Sequence, residues 1–184
     1  MKNNVLRVQS GFLKGKILEN PSKDTTRATK SIVKSCVFNV LRDELREYVF
    51  IEAFGGSASM AIEAISNYAK KAFAIEIDKL AYKSALKNTK DLNIEVLNDD
   101  TFKALPNIIA KLQNEKTILY LDPPFDIRDG FSDVYLKIKN LYENLDCDII
   151  IIEHSSKVEF ASLKYTLFKV KKFGNTTLSF FTRS

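Results

Sequence analysis

Cysteine, histidine and tryptophan are scarce in this sequence, which has two cysteines, one histidine and no tryptophan. Neither Cys36 nor Cys147 stands in a CxxC or another metal-ligand spacing, so the composition argues against a zinc site. Both cysteines lie within apolar runs and are typical of reduced core residues in a cytoplasmic protein. We therefore expect no bound metal.

Long apolar runs are also missing. No stretch approaches the roughly 18 apolar residues of a membrane span, and residues 1–11 lack the apolar segment of a secretion signal. The length of 184 residues predicts one ordinary domain with a small appendage. We expect a cytoplasmic monomer that has no membrane partner.

Positive charge is concentrated at the N-terminal end. Residues 1–42 carry nine Lys and Arg against two acids, whereas the whole chain has a formal net charge of +5. The rest of the chain is therefore slightly acidic. A basic segment on a near-neutral body predicts contact with a polyanion, although a solvated, lysine-rich surface explains the same charge equally well.

Two short elements are predicted before residue 49. Residues 5–9 and 12–18 alternate apolar and basic positions around Ser10-Gly11, which predicts a short β-hairpin with a basic face. After a polar segment, apolar residues recur at helical spacing, which predicts a helix over 30–46 with Thr29 as its N-cap.

From residue 49 onward, apolar runs alternate with helical patterns. The predicted strands are 49–54, 72–77, 94–98, 117–122 and 148–153, and the predicted helices are 58–68, 79–91, 101–114 and 131–144. Continuously apolar strands separated by helices indicate a parallel sheet covered on both faces. Segments 164–172 and 176–182 predict an antiparallel hairpin. We predict an α/β fold: a Rossmann-like, doubly wound, seven-stranded sheet with this C-terminal hairpin, plus the small N-terminal hairpin and helix.

The segment EAFGGSA, from Glu52 to Ala58, follows the first of these strands and begins a helix. Its small residues let a ligand approach the backbone and the helix N-terminus, and Glu52 can accept hydrogen bonds from a ligand ammonium. An ordinary strand-to-helix loop has the same composition. We assign five of its residues to a cofactor site: Glu52, Phe54, Gly55, Gly56 and Ser57.

Glu76 ends the second strand, 20 residues after Gly56. An acid at this place is the expected partner of a ribose diol. Helix capping is the alternative role, but Asp78 suits it better because a helical pattern follows at once. We place Glu76 and Ile77 in the cofactor site.

Asn98, Asp99 and Asp100 follow the third strand. An acid or amide there can bind an adenine amino group, and Phe102 could lie beside the ring. Asp99 and Asp100 are equally well explained as N-caps of the next helix. Asp99, Asp100 and Thr101 complete the cofactor-binding candidates, together with Asp122.

Asp122, Pro123, Pro124 and Phe125 end the fourth strand and are our catalytic candidates. Two prolines stiffen the strand exit. An exocyclic base amine is a poor nucleophile because its lone pair is delocalised into the ring. The Asp122 carboxylate and the Pro123 carbonyl can each accept an N–H bond from that amine and free the lone pair to attack a sulfonium methyl group. Phe125 offers a face on which the base can stack.

Taken together, these motifs resemble the RsmD-type family of 16S ribosomal RNA guanine-N2 methyltransferases over nearly the whole chain. The family patterns are RxxxGxxxGxxL at Arg7–Leu18, RPTxxxxRExxFN at Arg27–Asn39, DxFAGSGxxGxEA at Glu52–Ala64, IExD at Ile75–Asp78, and DPPF at Asp122–Phe125. The resemblance implies a class I methyltransferase fold and a cytoplasmic enzyme.

The resemblance also implies roles for residues. S-adenosylmethionine would be held by Gly55, Ser57, Glu76 and Asp100, and the amine would lie among Asp122, Pro123 and Phe125. Residues 1–28 would be a basic hairpin and RNA-contacting segment, and 29–184 the methyltransferase domain. The partner would be 16S ribosomal RNA or the assembling small ribosomal subunit. The RNA-binding candidates are Arg7, Lys14, Lys16, Arg27, Thr29 and Lys30.

The chain departs from the family pattern at several positions. Ala28 replaces proline, Lys34-Ser35 replaces Arg-Glu, Glu52 replaces Asp, and Ala58 replaces the third glycine of the loop. Ala58 adds a methyl group where the cofactor approaches the backbone closely.

Other functions remain open at this point. An adenine-N6 methyltransferase acting on DNA or RNA would use the same DPPF turn, but DNA enzymes of this type usually carry a separate recognition domain, for which 184 residues leave no room. A catalytically silent nucleic-acid-binding protein could share the scaffold, although the intact DPPF argues against it. A nicotinamide dehydrogenase would need GxGxxG instead of Gly-Gly-Ser-Ala.

Overall fold

The computed structural model describes residues 6–20, 27–124 and 132–184. Two strands, β1 (Leu6–Arg7) and β2 (Ile17–Leu18), pair antiparallel at the N-terminal end. Helix α1 (Arg27–Leu41) follows and passes into a 3-10 helix over Arg42–Glu47. These elements precede the main sheet.

The main sheet has seven strands in the order β5-β4-β3-β6-β7-β9-β8. The strands are β3 (Tyr48–Ala53), β4 (Lys71–Ile75), β5 (Ile94–Leu97), β6 (Lys116–Leu121), β7 (Ile149–Ser155), β8 (Tyr165–Phe173) and β9 (Thr176–Arg183). The intervening helices are α2 (Ser59–Ser66), α3 (Lys79–Asn88), α4 (Thr101–Lys111) and α5 (Ser132–Glu143). Strands β3 to β7 run parallel, and β9 pairs antiparallel with both β7 and β8. The predicted fold class is confirmed.

The sheet separates two apolar cores because successive side chains of a strand point to opposite faces. Helices α1, α2 and α3 cover the face that contains Phe50, Tyr120 and Ile151, which we call the α1 face. Helices α4 and α5 cover the other face, which contains Leu119 and Ile150. The buried, apolar strands of the sequence pattern therefore occupy the centre of a three-layer structure.

The predicted N-terminal hairpin is shorter than the sequence pattern suggested. Gln9 and Ser10 donate their backbone N–H groups to the carboxylate of Glu63 in α2 instead of to a partner strand. The Phe12 N–H donates to the carbonyl of Ser66. Since α2 takes these donors, the strand pairing in the part of the hairpin that the structure describes joins Leu6 with Leu18 and Arg7 with Ile17.

The first helix also differs from the prediction. The sequence predicted one helix over 30–46, but α1 ends at Leu41 because Arg42 has a positive φ of 44°, which α-helical geometry does not allow. The helix begins at Arg27, so Thr29 lies in its first turn and the prediction that Thr29 is the N-cap was wrong.

Candidate active site

The carboxyl ends of three adjacent strands bring the main predicted site residues together. Ala53 of β3 pairs with Ile75 of β4 on one side and with Leu121 of β6 on the other. Phe54, Glu76 and Asp122 directly follow these paired residues. In open α/β sheets, ligands bind at this edge, where the strand order reverses.

The loop after β3 has an unusual backbone. Phe54, Gly56 and Ala58 have φ angles of 63°, 54° and 62°, in the left-handed region. For the two non-glycine residues this conformation costs about 1–3 kcal/mol each, a strain that clusters at ligand sites. A side chain at Gly56 would meet nothing within 4 Å. The space before Gly56 is thus open to a ligand.

Gly55 meets a different constraint. Its N–H donates to the carbonyl of Ile75, and a Cβ at this position would lie 3.3 Å from Ala74 Cβ and from the Ile75 oxygen. Glycine is therefore favoured here because the loop lies tightly against β4. Ser57 is buried, and its carbonyl accepts a hydrogen bond from the Asn88 side chain. Both contacts hold the loop in place.

Glu76 lies opposite the glycine loop. Its carboxylate accepts hydrogen bonds from the N–H of Gly56 at 2.6 Å and from the N–H of Asp78 at 2.7 Å. Each carboxylate oxygen has a second acceptor position, so ribose hydroxyls can still bind there. Asp78 caps α3, as the sequence indicated, with its side chain accepting from the N–H groups of Leu80 and Ala81.

The residues expected around an adenine ring are spread along the same edge. The Ile77 side chain is 68% exposed and can cover an aromatic ring, and half-buried Phe102 meets Phe54 edge-on at 6.0 Å between ring centroids. Asp100 is the N-cap of α4, where its side chain accepts from the Phe102 N–H. Asp99 is exposed and Thr101 is buried.

Glu52 already has partners within the chain. It is buried, and its two oxygens accept from the N–H groups of Met60 and Ala61 in the first turn of α2. Burial raises the pKa of Glu52 to about 7, which the two amide donors and Lys34 oppose and Glu76 reinforces. In the structure this carboxylate therefore stabilises the beginning of α2 behind the glycine loop.

Asp122 and Pro123 leave β6 at the centre of the site. Asp122 is partly buried, Pro123 is buried and Pro124 is exposed. Burial raises the pKa of Asp122 well above its ordinary value; Glu153 and Glu52 raise it further, while Lys30 opposes them. The catalytic candidate Phe125 lies outside the described residues.

Glu153 is a site residue that the sequence analysis did not select. Leu121 pairs with Ile152, so Asp122 and Glu153 follow paired residues on neighbouring strands. Glu153 is buried and accepts a hydrogen bond from the hydroxyl of Tyr120. Burial raises the pKa of Glu153, while the Tyr120 bond and Lys30 lower it. The sequence did contain a signal for Glu153: it is the acid that ends the apolar run DIIIIE, the predicted strand that follows the DPPF strand along the chain.

Helix α1 carries two lysines over these carboxyl groups. Lys30 is exposed, and its charge acts on both Asp122 and Glu153. Lys34, one helical turn later, is only 4% exposed and places its Nζ 3.6 Å from Glu63 Oε2. Among the described residues, its Nζ finds no hydrogen-bond partner. Burial lowers the pKa of Lys34, and Glu63 and Glu52 oppose that shift.

The RNA-binding candidates whose side chains the structure describes have different neighbours. Lys30 lies near Asp122, whereas Arg7 donates to the carbonyl of Gly15 and Lys16 donates to that of Asn88. Lys14 is exposed in the turn between β1 and β2. The side chains of Arg27 and Thr29 lie outside the described residues.

The part of the chain that the structure describes contains no cluster of three or more His, Cys, Asp or Glu able to hold a metal ion. Within the same ranges, none of the helices is long and apolar enough to cross a membrane. S-adenosylmethionine suits the residues present, because Gly56 faces open space, Glu76 supplies acceptors for hydroxyl groups, and Ile77 supplies an exposed apolar surface. When bound, this cofactor supplies an electrophilic methyl group on a sulfonium.

Comparisons with known proteins show the family of the chain. The family model described as Conserved hypothetical protein 95 matches residues 6–182. A relative named Ribosomal RNA small subunit methyltransferase D, from Buchnera aphidicola subsp. Acyrthosiphon pisum, is 30% identical over 179 residues, covering 92% of this chain and 89% of the relative. The relative of the same name from Haemophilus influenzae is 26% identical over 176 residues, with the same shares covered.

Solved structures show the same fold. The yhhF protein of Escherichia coli aligns with a TM-score of 0.76 at 24% identity, over 98% of each chain. An RNA methyltransferase from Salinibacter ruber, in complex with S-adenosyl-L-homocysteine, aligns with a TM-score of 0.56 at 18% identity, over 83% of this chain and 90% of that one.

The sheet order, together with these relatives, defines the chain as an S-adenosylmethionine-dependent methyltransferase. Within that class, the chain belongs to the family described as Conserved hypothetical protein 95, the RsmD-type family.

Proposed function

We propose that this protein transfers the methyl group of S-adenosylmethionine to the exocyclic N2 amine of a guanine in 16S ribosomal RNA. The observation that carries the proposal is the position of Asp122 and Pro123, at the end of the strand that pairs with β3 and its glycine loop. An amine held there lies beside the proposed cofactor site.

The chain's own residues would act by orientation. The Asp122 carboxylate and the Pro123 carbonyl accept the two N–H bonds of the amine, and buried Pro123 fixes the direction of its carbonyl. Acceptors on both hydrogens localise the nitrogen lone pair toward the methyl group. After transfer, the extra proton of the methylated amine passes to Asp122 or to solvent.

The choice of substrate rests on the relatives and on charge. The curated relatives carry the name Ribosomal RNA small subunit methyltransferase D, and residues 1–42 of this chain are strongly basic. Guanine must leave its stack to reach Asp122, which is least costly in RNA loops. We propose that residues 1–28 and Lys30 contact the RNA, in the cytoplasm.

Two experiments test the proposal. Calorimetry should show binding of S-adenosylmethionine and S-adenosylhomocysteine, which a catalytically silent protein does not require. Mass spectrometry of ribosomal RNA nucleosides, with and without the gene, should show one N2-methylguanosine lost in the deletion strain. Loss of N6-methyladenosine instead would support the adenine alternative.

A variant tests the catalytic assignment. Asp122→Ala removes one of two amine acceptors and should lower the methylation rate at least about 100-fold, the usual cost of losing one such contact, while cofactor binding is largely kept. Asp146→Ala is the control, because Asp146 is exposed and forms surface ion pairs with Lys164 and Arg183. An unchanged rate in Asp122→Ala would refute the role of Asp122.

A further inference from the structure

Strand β8 is an exposed, basic edge of the main sheet. It pairs with β9 on one side and stands last in the strand order. Seven consecutive residues, 166–172, are exposed. The segment KYTLFKVKKF, residues 164–173, contains four lysines and no acid. It therefore presents a concentration of positive charge outside the basic N-terminal segment.

Two of these lysines face the same side of the sheet as the active site. Lys171 pairs with Leu178, which pairs with Glu153, and Lys169 pairs with Phe180, which pairs with Ile151. Paired residues point to the same face, and Leu178 and Phe180 both belong to the core on the α1 face. Lys169 and Lys171 therefore share that face with Glu153 and Tyr120.

The surroundings of Cys36 are consistent with this placement. Burial raises the pKa of the Cys36 thiol, and the charges of Lys171 and Lys169 oppose the shift. Cys36 belongs to α1, the helix that carries Lys30 over Asp122. The two β8 lysines thus extend a basic surface from the beginning of α1 to the sheet edge.

The distance to the proposed target site suits an RNA strand. Adjacent strands lie about 4.8 Å apart, so Lys171 is about 10 Å from Glu153 and about 14 Å from β6 across the sheet. A base that enters the site at Asp122 leaves its own and neighbouring phosphates within that range. The register therefore places the lysines where flanking nucleotides would pass.

An aromatic ring accompanies these charges on the same face. Phe168 is 45% exposed, and its ring centroid is 6.0 Å from that of Phe180. Lysines that follow a backbone, combined with an exposed aromatic side chain that can stack on a base, are the usual elements of single-stranded nucleic-acid sites. Lysines on an edge strand also prevent sheet-to-sheet pairing, which is compatible with this role.

We propose that the α1-face surface of β8, formed by Lys169, Lys171 and Phe168, binds single-stranded or loop RNA beside the target nucleotide. This surface adds a second contact to the basic N-terminal segment, and it rests on the proposed function only in that RNA is the substrate.

The test compares two double variants of equal charge. Lys169→Ala/Lys171→Ala removes the proposed contacts, and Lys111→Ala/Lys139→Ala removes two exposed lysines from α4 and α5 on the opposite face. The probes are an unmodified transcript of the small-subunit ribosomal RNA and polyuridylate. Binding is measured at several salt concentrations, and urea unfolding of each variant monitors the fold.

The β8 variant should bind both probes more weakly and with less dependence on salt. Each lost single-strand contact reduces the slope of log K against log salt by about 0.7, so two contacts reduce it by about 1.4. Between 50 and 200 mM salt, wild type should then lose about 7-fold more affinity than the variant. The KM for RNA should rise, whereas kcat and cofactor affinity should stay unchanged.

Phe168→Leu, which keeps an apolar side chain without an aromatic face, should weaken binding of polyuridylate about 5-fold or more. Equal affinity and slope in wild type and the β8 double variant would overturn the inference, as would an equal loss in the α4/α5 control. If RNA binding responds as expected but no methyl group is transferred, the proposed activity fails and the RNA surface stands.

Discussion

Glu63 of α2 joins the N-terminal hairpin by hydrogen bonds to the helix that follows the glycine loop. It is fully buried in α2 and accepts hydrogen bonds from the N–H groups of Gln9 and Ser10 and from the Ser10 hydroxyl, at 2.7–3.0 Å. The ammonium of Lys34 lies 3.6 Å away. Because Glu63 accepts all three of these hydrogen bonds and forms an ion pair with Lys34, its loss should affect the entire N-terminal region.

Glu63→Ala should lower the free energy of unfolding by about 4–5 kcal/mol. Breaking a buried ion pair costs about 3–5 kcal/mol because the remaining charge is left without compensation, and orphaned backbone donors add to that loss. Typical domains have 5–15 kcal/mol in total, so the variant should unfold at a clearly lower urea concentration.

Lys34 distinguishes this mechanism from simple loss of packing. When Lys34 is replaced, Glu63 keeps its hydrogen bonds from Gln9 and Ser10, so Lys34→Met alone should change stability by only about 1 kcal/mol, less than the usual cost of breaking a buried pair. In the Glu63→Ala background the same change removes an unpaired buried charge and should restore about 2 kcal/mol, a coupling that neighbouring residues commonly show.

Urea unfolding at constant m-value measures all four proteins of this cycle. Glu115→Ala is the control, because the Glu115 pair with Lys70 is partly exposed and should contribute less than about 1 kcal/mol. The reasoning would be refuted if Lys34→Met restored no stability in the Glu63→Ala protein, since the buried ammonium would then not be the source of the cost.

Three further predictions concern the carboxyl groups of the site. Burial and Glu153 raise the pKa of Asp122, so methylation should be lost as the pH falls through that raised value. Glu153→Gln removes one negative neighbour of Asp122 and should move the acid limb of the kcat/KM profile to lower pH. An unmoved limb would contradict the influence of Glu153 on Asp122. Glu76→Ala removes the acceptor of the Gly56 and Asp78 N–H groups. The variant should bind S-adenosylhomocysteine about 10-fold or more weakly in calorimetry. An unchanged affinity would exclude Glu76 from the cofactor site. Burial raises the pKa of Glu52 from 4.5 to about 7, so the folded state holds the Glu52 proton more tightly than the unfolded state does. The free energy of unfolding should therefore fall by up to about 3 kcal/mol as the pH rises from 4.5 to 7. In Glu52→Gln this dependence of stability on pH should be absent, and an identical dependence would argue against the pKa shift.

Much of the site could be predicted from local sequence because its parts are local. The turn after β3 needs small residues, the end of β4 carries an acid, and two prolines follow β6; each is readable within a few residues. Parallel strands place their carboxyl ends at one edge, so Gly55, Glu76 and Asp122 had to meet once the order of strands was right.

Other features depend on residues far apart in the chain. Glu153 lies beside Asp122 because β7 pairs with β6 in one particular register, and a shift of one residue would turn its side chain to the other face. Glu52 fits the pattern of a ligand acid, and only the structure shows that its carboxylate also accepts from two amide donors at the beginning of α2.

The alternation of apolar strands and helices by itself determined the α/β class and the edge of the sheet that carries the chemistry, since burial on both faces demands that pattern. Only the tertiary structure decided how the N-terminal segment is used. Glu63, a residue of the later helix α2, accepts the hydrogen bonds of the Gln9 and Ser10 N–H groups, so the hairpin is shorter than predicted. Glu63 also pairs with the buried Lys34. No local pattern predicts these hydrogen bonds, because their donors and acceptors lie more than 50 positions apart in the chain.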